Sequence, residues 1–232
     1  MRTRLAVVAL TVATALVLAG CSGDGDDEGA PQASPAQALD AARDRLVSSP
    51  AVAFTLASEG LPSKAVGVSA AKGTGLFTPP SFKGTLNATI RGVTGTVDVI
   101  AVEQDVYLKF FTPGYAKIDP KDYGAPNPAQ LFNQQTGVTS LVDKTSGLAR
   151  GPKQRDGSDV LETFTGTVPG SAVADLFVIG DESGTFDITY GVTDTDHELR
   201  KVVLEGPFYA GSTATYTLHL KRLAEAVAIT RP

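Results

Sequence analysis

Residues 82–90 read Phe-Lys-Gly-Thr-Leu-Asn-Ala-Thr-Ile, and apolar and polar side chains alternate through most of this stretch. Because successive side chains of a β-strand point to opposite faces, a period of two predicts a strand with one apolar face and one wet face. Strands of this kind are typical of antiparallel sheets.

The same period recurs along much of the chain. It is visible in residues 52–56, 97–101, 106–110, 186–192 and 214–220. Together with less regular stretches, this pattern predicts roughly nine or ten strands in an antiparallel sheet.

Helical patterns are few and short. Ser34 is a favourable N-cap, Pro35 suits a first helical turn, and the apolar residues of 38–46 recur at helical spacing. Two short patterns follow in residues 127–142, and a third follows Ser171. Since these helices are too few to alternate with the strands, we expect an α+β fold with the helices packed on one face of the sheet.

The first 34 residues carry export signals. Arg2 and Arg4 precede an apolar run from Leu5 to Leu18, which is shorter than the ~20 residues of a membrane-spanning helix. The run ends in Leu-Ala-Gly-Cys21, which resembles the lipobox of bacterial lipoproteins; an ordinary signal peptide with a chance cysteine is the alternative. We expect a signal peptide over 1–20, a lipidated Cys21 with a flexible acidic tether over 21–34, and one domain over 35–232, anchored at the extracytoplasmic face of the cell membrane.

Composition narrows the function classes. Cys21 is the only cysteine, so neither an internal disulfide nor a thiolate metal centre is expected. Without residues 1–20 the chain keeps 18 of its 20 basic side chains and all 25 acidic ones, which gives a net charge of −7. Because an acidic surface repels phosphates and no basic patch is visible, we do not expect a nucleic-acid partner.

Patterns that suggest catalysis or metal binding are weak. The stretch Asp194-Thr195-Asp196-His197-Glu198 has suitable ligands, but it lacks the spacing of a calcium loop, and we interpret it as a polar hairpin turn. The acidic run in residues 24–28 is interpreted as tether for the same reason. No serine-hydrolase or metalloprotease motif is present. We therefore predict no cofactor, no metal and no enzymatic activity, although a carboxylate pair assembled by the fold stays open.

A series of motifs adds a family resemblance. The motifs are Asp105-Val106-Tyr107-Leu108-Lys109, Gly114-Tyr115, Asn127-Pro128-Ala129-Gln130-Leu131, Thr136-Gly137-Val138, Asp196-His197-Glu198-Leu199 and the ending Val227-Ala228-Ile229-Thr230-Arg231-Pro232. In this order the chain resembles the LppX/LprAFG family of mycobacterial lipoproteins. The resemblance implies a curved antiparallel half-barrel with helices on its concave face enclosing a lipid cavity. It also implies carriage of acylated lipids, glycolipids or lipoglycans in the cell envelope, with a major-facilitator exporter as partner.

Strand parity then selects candidate cavity residues. They are the inward positions of the strands and of the covering helices: Phe54, Leu56, Leu86, Ala88, Ile90, Val97, Val99, Val106, Leu108, Phe110, Leu131, Leu141 and Phe186. Alternation alone does not distinguish a cavity from a filled core, and the resemblance favours a cavity. Two alternatives remain: a non-catalytic envelope module with a filled core that binds a protein through a sheet edge, and a hydrolase of envelope lipids.

Overall fold

The computed structural model describes residues 32–90, 92–110 and 113–232. The predicted signal peptide, Cys21 and all but the last residues of the tether lie outside these ranges. Helix α1 spans Pro35–Val47. The Ser34 side chain accepts a hydrogen bond from the Gln37 backbone N–H, and the Gln37 side chain accepts one from the Ser34 N–H, which completes a capping box. The predicted helix start is therefore confirmed.

Twelve strands follow α1 within the described residues. They are β1 (Ala51–Glu59), β2 (Gly67–Phe77), β3 (Pro80–Ile90), β4 (Val93–Val102), β5 (Asp105–Lys109), β6 (Ala116–Ile118), β7 (Ser146–Arg150), β8 (Gln154–Asp156), β9 (Asp159–Pro169), β10 (Thr185–Thr193), β11 (Leu199–Tyr209) and β12 (Ser212–Leu223). The sequence predicted fewer strands because β6, β7 and β8 have only 3, 5 and 3 residues, too few for an alternation to be visible.

Further helices occupy the two places where the strand pattern breaks. Helix α2 spans Gly170–Phe177 between β9 and β10. Three 3₁₀ helices lie between β6 and β7, at Pro120–Tyr123, Pro128–Phe132 and Val138–Leu141. In the part of the chain that the structure describes, no helix is both long enough and apolar enough to cross a bilayer.

All strands join one antiparallel sheet. Their order is β6-β5-β4-β3-β2-β1-β12-β11-β10-β9-β7, and β8 pairs with β9. The register shifts between Val68 and Ala70, between Gly191 and Val192, and between Gly206 and Tyr209. Because such irregularities bend strands and increase their twist, they account for the curvature of this open sheet.

The two faces of the sheet are unequally covered. On β4, Val97 and Val99 point into a large core that α1, α2 and two 3₁₀ helices help to form; we call this the helix-covered face. Ile100 and Val102 point to the other side, the outer face, where they form a small cluster with Ile229. An antiparallel sheet with its helices on one face is therefore confirmed.

Candidate functional site

The helix-covered face contains unfilled space between β1–β5 and residues 118–128, which we call the covering loop. Two small apolar spaces occur there. Both are lined by Gly67, Val68, Leu86, Pro126 and Pro128. Because they share these walls, we treat the two spaces as one feature, the apolar seam.

The seam is closed in this structure. Each space has a volume of about 30 Å³, enough for roughly one or two water molecules. A cleft for a drug-sized ligand usually needs at least ~300 Å³. The seam is thus far smaller than the enclosed lipid cavity expected from the family resemblance, and an acyl chain would fit into it only after the covering loop moves.

The covering loop is held by hydrogen bonds at its ends and by apolar contacts between them. At one end β6 pairs with β5, with Ile118 opposite Val106. At the other end Asn127 Nδ2 donates to the Glu103 carbonyl at 2.8 Å. Between these points the loop's backbone bonds are internal, from Gly124 to Lys121 and from Ala125 to Pro120. Within the described ranges, no hydrogen bond joins residues 119–126 to strands β1–β4.

An open polar groove lies on the other side of the covering loop. Its volume is about 690 Å³, and its charged lining residues are Asp105, Lys117, Asp119, Lys121 and Asp175. The loop residues Ile118, Pro120, Ala125 and Pro126 line both this groove and the apolar seam. These four residues therefore have open space on one side and the apolar seam on the other.

Two tyrosines line the seam, Tyr216 at its first space and Tyr123 at its second. The Tyr216 hydroxyl donates to the Val68 carbonyl at 3.2 Å and lies 3.2 Å from the Tyr209 hydroxyl. Burial, followed by the contact with Tyr209, raises the pKa of Tyr216 well above its ordinary value. The phenol therefore stays neutral at physiological pH, and none of the residues that line the seam carries a charge.

Most of the predicted cavity residues meet at the seam. Phe54, Leu56, Leu86 and Leu131 line the first space; Leu86, Ala88, Val97, Val99, Val106 and Leu108 line the second. Sequence reasoning missed Val68, which lies at a bulge in β2, and Phe177, the last residue of α2. It also missed Pro126 and Ile179, which lie in loops without a regular period. It also omitted Tyr216, although alternation along β12 places this residue on the same face as Leu218.

The remaining predicted residues lie elsewhere. Leu141 and Phe186 are buried in the core but line neither space, and Phe186 packs against Phe208 with ring centroids 4.8 Å apart. Phe110 lies just beyond the end of β5 and is 38% exposed, because the strand stops one residue earlier than the alternation suggests. The Ile90 side chain and Cys21 are outside the described part of the structure.

The stretch considered as a metal site is a turn between strands. Residues 194–198 connect β10 to β11, and the His197 N–H donates to the Thr193 carbonyl at 3.0 Å. Glu198 lies 3.2 Å from Arg200 and 3.1 Å from Arg222, so this carboxylate is already paired with cations. Among the described residues, no group of three His, Cys, Asp or Glu side chains is arranged to hold a metal ion.

A curved antiparallel sheet with one helix-covered face is a class of fold known from solved mycobacterial proteins. The chain matches LprF from Mycobacterium bovis with a TM-score of 0.70 and 12% identity, over 85% of this chain and 96% of that one. It matches the lipoprotein LppX of Mycobacterium tuberculosis with a TM-score of 0.63 and 16% identity, over 84% and 98%. At these identities the likeness shows the fold alone.

Family membership rests on the sequence. The family model for LppX_LprAFG lipoproteins matches residues 34–229, nearly the whole predicted domain, so this chain belongs to the LppX_LprAFG lipoprotein family. The resemblance inferred from the motifs is therefore confirmed. No curated protein matches the sequence significantly.

Proposed function

We propose that the protein binds acyl chains in the apolar seam after the covering loop opens, and that it carries acylated lipids or glycolipids in the cell envelope. The observation that supports this proposal best is the seam itself, an apolar space whose lining residues are uncharged. Residues 119–126 of the covering loop lie over it and, within the described residues, make no hydrogen bond to β1–β4.

The energetics of lipid transfer suit such a site. Moving an acyl chain of about 16 carbons out of water gains roughly 12 kcal/mol, at ~0.8 kcal/mol per CH₂. Extracting the same chain from a bilayer into water costs a similar free energy, because the chain leaves an equally apolar surrounding. A carrier therefore needs an apolar surface that opens at low cost, and the groove of about 690 Å³ behind the covering loop provides room for that movement.

The anchor completes the proposal. Lipid on Cys21 attaches the domain to the extracytoplasmic face of the cell membrane, and the tether up to Ser34 has an extended reach of ~45 Å. Cargo is then received and released near that membrane, where an exporter of the major-facilitator type is the proposed partner.

Cys21→Ala should separate attachment from binding. We expect this variant to leave the membrane fraction, because two or three acyl chains are needed for stable attachment, and to bind a fluorescent fatty acid as tightly as the parent protein. Ser22→Ala is the matched control and should stay with the membrane. Loss of fatty-acid binding in the Cys21→Ala protein would show that anchor and binding site are not separate.

A protein-binding module with a filled core is the second candidate, and the small volume of the seam favours it. Its predicted docking element is a sheet edge, but the outermost strands β6 and β7 have only 3 and 5 residues. Short edges offer few backbone groups for strand addition, which weakens this candidate.

A vesicle assay separates the three functions. Donor vesicles carry a phospholipid with a self-quenched fluorescent acyl chain, and the full-length protein is added with and without unlabelled acceptor vesicles. A carrier relieves quenching and speeds the arrival of label in acceptors. A filled-core module changes neither the quenching nor the transfer of label, and this result would contradict the proposal. Release of free labelled fatty acid would instead indicate a hydrolase.

A further inference from the structure

The C-terminal tail, residues 224–232, returns to the outer face of the sheet at strands β4 and β5. Ile229 is 9% exposed and packs in a cluster with Ile100 and Val102. Leu76, Tyr107 and Tyr115 border this cluster. The tail thus covers the side of the sheet opposite the apolar seam, with one apolar residue inserted among strand side chains.

An arginine fastens the end of the tail to the turn between β4 and β5. Arg231 Nε lies 2.7 Å from Asp105 Oδ2, and Arg231 Nη2 lies 3.0 Å from Glu103 Oε2. Lys117 Nζ on β6 approaches the other Asp105 oxygen at 2.6 Å. Asp105 therefore links the tail to the strand from which the covering loop starts.

The same turn holds the far end of the covering loop. The Glu103 carbonyl accepts hydrogen bonds from Asn127 Nδ2 at 2.8 Å and from Gln130 Nε2 at 3.0 Å. Glu103 has a φ of 56°, a left-handed conformation that is rare for residues with a side chain. The orientation of this carbonyl thus depends on the groups that hold the turn. Val102 pairs with Asp105 across it. The Glu103 N–H donates to the Pro80 carbonyl at 2.8 Å, and Arg231 holds the Glu103 side chain.

We propose that the C-terminal tail is a latch: by holding the β4–β5 turn from the outer face, it keeps the covering loop closed over the seam on the opposite face. Release of the tail frees the Glu103 turn and lowers the cost of opening the loop. The role of this latch in lipid loading rests on the function proposed above, but the mechanical coupling does not.

The latch is engaged at neutral pH. Hydrogen bonds from Lys117, and then from Arg231, lower the pKa of Asp105 below its ordinary value. When its partners lower the pKa of a carboxylate, the stabilisation from these partners is fully present at a pH above the pKa of the unfolded chain. It is lost only as the pH falls through the lowered pKa of the folded protein. Asp105, Lys117 and Arg231 therefore stay charged over the physiological range, with Glu103 as the neighbouring acidic group.

Thiol labelling tests the coupling without any lipid. In a Cys21→Ala background, Ala88→Cys places a single thiol in the seam, because Ala88 is 7% exposed and lines the second space. Adding Ile229→Ala and Arg231→Ala removes the latch. We expect the labelling rate of this thiol to rise about fivefold or more, as for a coupling of ordinary size. The control is Lys153→Ala, which breaks the pair of Lys153 with Asp194 at 2.7 Å and should not alter the rate.

An unchanged labelling rate in the latch variant would overturn the latch. If the rate rises and uptake of a fluorescent fatty acid accelerates with it, both proposals are supported. If the rate rises but neither the parent protein nor the variant takes up fatty acid, the latch stands and the proposed function fails.

Discussion

Leu86→Trp should weaken the binding of an acyl-chain ligand by about tenfold or more, equivalent to ~1.4 kcal/mol, while the domain stays folded. Leu86 is partly buried at the middle of β3 and lines both spaces of the seam. An indole there fills the interval into which a lipid chain would enter. Because open space borders the covering loop on its other side, we expect a stability loss no larger than the ~1–3 kcal/mol usual for overpacking.

Thr85→Trp is the matched control. Thr85 neighbours Leu86 on β3 but lines a shallow hollow on the outer face together with Lys72 and Thr96. The same added bulk on the opposite face should leave binding unchanged. Titration of a fluorescent fatty acid, with urea denaturation of each variant, measures both effects. Equal affinity in the Leu86→Trp and parent proteins would show that the ligand does not occupy the seam.

The Gly75 and Phe132 pair should show the largest stability effect. The Phe132 ring lies directly on Gly75, so closely that a Cβ at that glycine would overlap the ring. The ring also meets Phe54 and Phe77 with centroids 5.6 and 5.8 Å apart. Phe132→Ala should cost about 3–5 kcal/mol of unfolding free energy, because the ring pins the 3₁₀ helix Pro128–Phe132 onto the sheet.

A double-mutant cycle identifies the contact. Gly75→Ala should destabilise the parent protein strongly but the Phe132→Ala variant much less, since the ring that blocks the new methyl group is gone; we expect a coupling of roughly 1–3 kcal/mol. Phe208→Ala serves as the control, because Phe208 belongs to a separate aromatic cluster with Phe177 and Phe186. Its effect on the free energy of unfolding should simply add to that of Gly75→Ala. If the effects of Gly75→Ala and Phe132→Ala on the free energy of unfolding are additive, the 3₁₀ helix does not contact the sheet at Gly75.

The sequence predicted the sheet and much of the seam because both depend on local alternation. Val97 and Val99, or Val106 and Leu108, share a face by parity alone, whatever the long-range fold. Parity does not say how far along the sheet a residue lies from the seam. Leu141 and Phe186 therefore have the predicted burial but belong to other parts of the core, and Phe110 was placed on a strand that ends before it.

Features that depend on distant parts of the chain could not be predicted in this way. The covering loop contains Pro120, Pro126 and Pro128, which leave no period to interpret. The latch joins Arg231 to Asp105 across 126 positions of sequence, and nothing local to either residue indicates the other. The volume of the seam is set by small displacements of packed elements, so a closed and an open seam have the same sequence pattern.

Native mass spectrometry of the protein extracted from its own membrane, paired with identification of the released lipids, tests the central claim most directly. The account predicts a fraction of molecules that carry one acylated lipid, and a shift of delipidated protein to the same bound mass after incubation with vesicles. Protein that is free of lipid on extraction and stays free after incubation would contradict the claim that the seam opens to hold an acyl chain.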